Sequence, residues 1–183
     1  MPATSRTARA CALALAGLGV TASTMAALPA SAASGDGSHS QITSTTTTTP
    51  TTQTRTAAKR VSNRVISAKD TAMRQRGDAY AYGAAGPERF DCSGLVYYSY
   101  RRAGFAVPRT SGAQAGYTRR ISKKAMRPGD LMFFYGSGGV YHAAIFLKWS
   151  HGHAVMVHSP GSGQRVQVAV PWTSSWFGGT LRR

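Results

Sequence analysis

Acidic side chains are scarce: six Asp and Glu stand against 22 Lys and Arg, for a formal charge of +16. Such an imbalance points to a polyanionic partner such as nucleic acid, an anionic membrane face or an acidic wall polymer. Cysteine is scarcer, with only Cys11 and Cys92. There is no Cys-x-x-Cys pair and no His-Glu-x-x-His helix, so the common zinc-site spacings are excluded and no metal or other cofactor is expected. No self-similarity recurs at a period of roughly 20 to 50 residues, which excludes a repeat architecture.

Long apolar runs are also missing. The one candidate, Ala10 to Val20, follows Arg6 and Arg9 and precedes the small residues Ala30-Ser31-Ala32. It is too short to span about 30 Å of hydrocarbon, and with its basic flank and small-residue cleavage site it reads as a secretory signal over residues 1–32. Cleavage would remove Arg6 and Arg9 but no acid, lowering the charge from +16 only to +14. The expected product is secreted, extracellular or wall-associated, monomeric and without a lasting membrane anchor. Export and the lack of a binding motif set nucleic acid aside. Anionic wall polymers then become the fitting partner for the basic clusters Arg119-Arg120 with Lys123-Lys124 and Arg182-Arg183.

Residues 33–57 are dominated by Ser, Thr and Gly and have almost no large apolar side chain, the composition of a flexible tether. The folded domain is expected over residues 58–183. Val61, Val65, Ala68 and Ala72 recur at helical spacing up to a stop at Gly77, and a second helix is predicted from Cys92 to Ala103, with Asp91 at its N-cap and Gly104 beyond its end. Four strands follow, 130–135, 141–148, 154–159 and 165–170, separated by Gly- and Ser-rich turns. Helices first and an antiparallel meander afterwards make an α+β domain.

With Cys11 gone, Cys92 is a lone thiol in an oxidising compartment. Its place in the first turn of a helix favours the thiolate, and the free N–H groups of Cys92 and Ser93 can receive an oxyanion. A thiol nucleophile needs a base. His142 opens one predicted strand and His158 closes the next, so antiparallel pairing brings them together as base and orienting group. A different strand register would put His153 in the place of His158.

These residues lie in a longer pattern. Arg89-Phe90-Asp91-Cys92-Ser93-Gly94-Leu95-Val96-Tyr97 resembles the nucleophile motif of the NlpC-type (NlpC and p-sixty) cell-wall cysteine peptidases. Tyr80-Ala81-Tyr82-Gly83, Pro108-Arg109-Thr110-Ser111, the stretch from Arg127 to Phe134, His142 to Leu147 and His158-Ser159-Pro160 resemble the family's other segments, in its order. The resemblance implies a papain-like fold with N-terminal helices packed on an antiparallel sheet. It also implies hydrolysis of peptidoglycan stem peptides, usually between D-glutamate and a diamino acid, through a thioacyl-enzyme. Cys92 would be nucleophile, His142 base and His158 orienter. Tyr80 would position the scissile carbonyl or its oxyanion, and Asp91 and Ser93 would meet the free amino end of the stem peptide. The competing readings are an amidase cutting between sugar and stem peptide, and a basic wall-binding module without catalysis.

Overall fold

The computed structural model describes residues 50–182; the expected signal and the tether up to residue 49 lie outside that range. Helix α1 spans Pro50–Arg74, α2 Cys92–Arg102 and α3 Ser111–Tyr117. The strands are β1 Ala79–Tyr80, β2 Arg89–Phe90, β3 Arg119–Ile121, β4 Leu131–Gly136, β5 Gly139–Ser150, β6 His153–His158, β7 Gln167–Ala169 and β8 Trp176–Thr180. β1 and β2 form a small parallel pair, and the other six make one sheet in the order β3-β8-β4-β5-β6-β7, antiparallel throughout. This is the α+β class read from the sequence.

Several elements depart from expectation. α1 begins at Pro50 rather than Ala58, so the last eight residues assigned to the tether are helical. Proline suits the first helical position because its missing N–H would go unpaired there, and Ala57, Ala58 and Lys59 carry the helix back from the packed turns. The segment from Thr52 to Arg60 is exposed, whereas Val65, Ala68 and Ala72 are buried. Helix α3 and strands β1, β2, β3 and β8 are additional. β8 is interior, between β3 and β4, although its sequence Trp-Phe-Gly-Gly-Thr looks like a turn. Bare backbone is required there: a Cβ on Gly178 would strike Met126, and one on Gly179 would strike Thr118 and Phe133.

The sheet has two differently covered faces. On one, Leu131, Phe133, Ala143, Ile145 and Val157 join Val65, Ala68, Leu95 and Val96 of α1 and α2 in the main core. On the other, Met132, Phe134, Ala144, Phe146, Met156 and Trp176 form a second cluster. The end of the chain is sewn in by a buried ion pair. Arg182 bonds Asp130 and the carbonyl of Pro128, and Thr180 also donates to Asp130. Arg182 therefore leaves the set of surface cations expected to meet wall polymers.

Candidate active site

Asp91 caps α2 as its position before an apolar helix predicts. Its carboxylate accepts the N–H of Gly94 at 2.6 Å and that of Gly83 at 2.9 Å. Gly94 has no room for a side chain, because a Cβ would collide with the carbonyl oxygen of Ala84. The cap holds Cys92 as the first residue of α2, half-buried and unpaired.

Arg109, which sequence reasoning quoted but gave no task, braces the cap with both guanidinium nitrogens. It reaches Asp91 at 2.6 and 3.0 Å, Ser93 Oγ at 3.0 Å and the Ala84 carbonyl at 3.1 Å. Burial alone would raise the Asp91 carboxyl, but Arg109 and the Gly94 and Gly83 N–H groups hold it below the usual carboxylate range. Asp91 and Ser93 are thus bonded to each other and to Arg109, with both side chains buried. From α3, the fully buried Gln114 donates to the carbonyls of Ser93 and Pro108, at 2.9 Å each, and ties this helix start to the loop before α3.

The candidate base and its orienting histidine come from the sheet. His142 on β5 lies opposite Phe134 on β4, which lies opposite Trp176 on β8, so His142 shares the face of the second cluster. Its Nε2 is 3.0 Å from Nδ1 of His158, at the end of β6. His153 is exposed at the other end of β6, paired with Ser150. The register therefore brings His158 to His142, and His153 stays in the turn. The backbone N–H of Ala143, the residue after His142, is among the groups that act on the Cys92 thiol, so the thiol lies near the histidine-bearing strand.

Burial sets the protonation of this group. It pushes the Cys92 thiol up, aided by the nearby Asp91 charge, and outweighs the Ala143, Ser93 and Cys92 N–H groups that favour the thiolate. The helix-start N–H groups thus favour the thiolate, as read from the sequence, but do not overcome burial. Burial also lowers His142 to about 3, with His158 contributing, and His158 to about 4. At neutral pH the resting site holds a neutral thiol and two neutral imidazoles.

Trp172 was not foreseen. Its indole stacks on Phe134 at 4.5 Å between centroids and on His158 at 5.7 Å, and meets His142 edge-on at 5.1 Å. It roofs the two imidazoles while remaining half-exposed. Only its place in a Pro-Trp-Thr loop marks it in the sequence, and no periodicity links it to the histidines. In front of Cys92 opens a cavity of about 440 Å³ lined by Tyr80, Tyr82, Ser93, Arg109 and Tyr141 among others. The Tyr80 hydroxyl is raised by burial and by Cys92 and Asp91, so it stays protonated and can donate. No group of three or more His, Cys, Asp or Glu suited to a metal occurs among the described residues.

The sequence profile of the NlpC/P60 family matches residues 77–182. The bifunctional muramidase/DL-endopeptidase CwlT of Bacillus subtilis is 41% identical over 96 residues, which are 50% of this chain and 28% of that protein. Curated relatives are matched over only 17% to 28% of their length. Among solved structures, the peptidoglycan hydrolase RipB of Mycobacterium tuberculosis superposes with a TM-score of 0.60 at 28% identity, covering 73% of this chain and 72% of that one. RipD of the same organism, described as a non-catalytic domain adapted to peptidoglycan binding, gives 0.53 at 27% identity over 64% and 97%.

Proposed function

Since the chain belongs to the NlpC/P60 family, we propose that it is a secreted cysteine peptidase that hydrolyses peptidoglycan stem peptides at the D-glutamyl to diamino-acid bond. The observation that carries this reading is the Cys92 thiol beside Ala143, with His142 Nε2 held 3.0 Å from His158 Nδ1. His142 takes the thiol proton on Nδ1 as the sulfur attacks the scissile carbonyl. The N–H groups at the start of α2, with the Tyr80 hydroxyl, receive the developing oxyanion. The imidazolium then protonates the leaving amine, and water, deprotonated by His142, releases the acyl group from the sulfur. Asp91 and Ser93 are the residues offered to the amino end of the stem peptide, with Ser93 and Arg109 lining the cavity there.

Mass spectrometry of digested muropeptides tests this reading. Fragments ending in D-glutamate are expected, absent with Cys92→Ala and after thiol alkylation, and unaffected by chelators. Release of whole stem peptides would identify the amidase instead. Absence of any product, with binding to walls intact, would make the chain a wall-binding module like the non-catalytic neighbour. The basic surface supports retention on anionic wall polymers: Arg119 and Arg120 lie exposed on edge strand β3, and Lys124 follows in the next turn. Because exposed charges are screened over about 8 Å at physiological salt, binding to intact walls is expected to weaken steeply with salt while hydrolysis of a small soluble stem peptide changes little.

A further inference from the structure

For His142 to accept the thiol proton on Nδ1, its own proton must sit on Nε2, the nitrogen that meets His158. His158 Nδ1 is then the acceptor of that bond, and a neutral His158 must carry its proton on Nε2. That nitrogen is buried and has no hydrogen-bond partner. Such an orphan is a costly arrangement for a donor closed off from water.

His158 lines a cavity of about 290 Å³ together with Pro160, Gln164, Gln167, Ala169 and Trp172. The Pro160 and Ala169 side chains offer no acceptor, and the Trp172 indole can only donate. Gln164 Oε1 already faces the amide nitrogen of Gln167 at 3.5 Å. Of the two side-chain carbonyls in the lining, Gln164 Oε1 and Gln167 Oε1, the sheet register favours the second. Gln167 is the direct partner of His158 in the β6–β7 register, so the two side chains leave the same face of the sheet as neighbours. Gln167 is also exposed, and turning its amide exchanges only the long 3.5 Å contact to Gln164 for a bond to His158.

We propose that Gln167 is a positioning residue whose side-chain carbonyl accepts the Nε2–H of His158, fixing its tautomer and, through it, the tautomer of His142 that presents a lone pair to Cys92. This rests on the proposed thiol mechanism, which sets the starting tautomers, but the tautomer of His158 can be read without any activity. When His142 becomes imidazolium, its Nε2–H polarises toward His158, and Gln167 holds the far end of that chain. No proton passes beyond His142.

The kinetic arm compares wild type, Gln167→Leu and Gln167→Glu on a soluble stem peptide. Gln167→Leu should lower kcat about 3- to 10-fold, the size of one neutral hydrogen bond, with KM within about twofold. Gln167→Glu should restore kcat and move the acid limb of the pH profile upward, because a carboxylate favours the charged imidazole pair. The structural arm reads the His158 tautomer by nitrogen-15 NMR in the resting protein, where wild type should show the Nε2–H form and Gln167→Leu a mixture. An unchanged tautomer in Gln167→Leu overturns the proposal, as does a change in KM alone. If wild type proves inactive, the mechanism falls, and the NMR comparison still decides the role of Gln167.

Discussion

On the helix side of the sheet, Leu131, Phe133, Ile145 and Val157 lie sealed against Val65, Leu95 and Val96; on the other, Met132, Phe134, Phe146 and Met156 sit beside two imidazoles under a half-exposed indole. The first face is closed by whole helices, the second by a loop side chain and a few methionines and aromatics. The proposed nucleophile belongs to the helix layer and the two histidines to the other face, and the two layers approach each other where α2 packs on β5. Whole helices close the first face, while the thinner cover of the second still buries both imidazoles.

Substitutions on the two faces should therefore fail differently. The largest effect is expected from Phe133→Ala, which empties a fully buried site in the main core. A loss of about 3–5 kcal/mol should appear in urea unfolding, with the pH profile of the remaining folded enzyme unchanged. Next, His158→Ala should lower kcat at least ~100-fold, the order set by lost acid–base geometry, whereas His153→Ala stays within about twofold. The reverse pattern would move the orienting group to the turn. Trp172→Ala should cost kcat roughly 10-fold and much less stability than Phe133→Ala. Its telling signature is the acid limb, which should rise toward the ordinary imidazole range as water reaches His142 and His158.

The smallest effect concerns pH and stability. His142 and His158 are lowered in the folded protein, to about 3 and about 4, so above the unfolded value near 6.5 both states hold neutral imidazole and their full contribution is present. As pH falls through 6.5 toward 4 the unfolded chain takes up protons first, and stability drops. Between pH 7 and pH 6 the loss is on the order of 0.7 kcal/mol per imidazole, measurable as a fall in Tm that a His142→Asn, His158→Asn double variant should remove.

Much of this site could be read without coordinates because its parts obey local rules. Asp91 before an apolar helix must cap it, which puts Cys92 in the first turn, and alternation along β5 and β6 places His142 and His158 at meeting strand ends. What stayed hidden depends on tertiary packing. β8 was missed because Gly178-Gly179 has the composition of a turn, and only the crowding by Met126, Thr118 and Phe133 explains bare backbone there. Trp172 stacks on His158 from a loop and Gln167 stands beside it on a neighbouring strand, at separations no periodicity encodes. The direction of the thiol's shift escaped for the same reason: a helix start is visible in sequence, whereas its burial is not.

The indole of Trp172 also gives the site a voice in ultraviolet light. Among the three tryptophans it is the most exposed, at 54% against 42% for Trp149 and 6% for Trp176, and it is the one in contact with both imidazoles. A protonated imidazole withdraws electron density from an excited indole stacked on it, so emission should dim whenever His142 or His158 becomes charged. Stopped-flow fluorescence on unlabelled protein could then follow the charge through a single turnover, with no reporter group added.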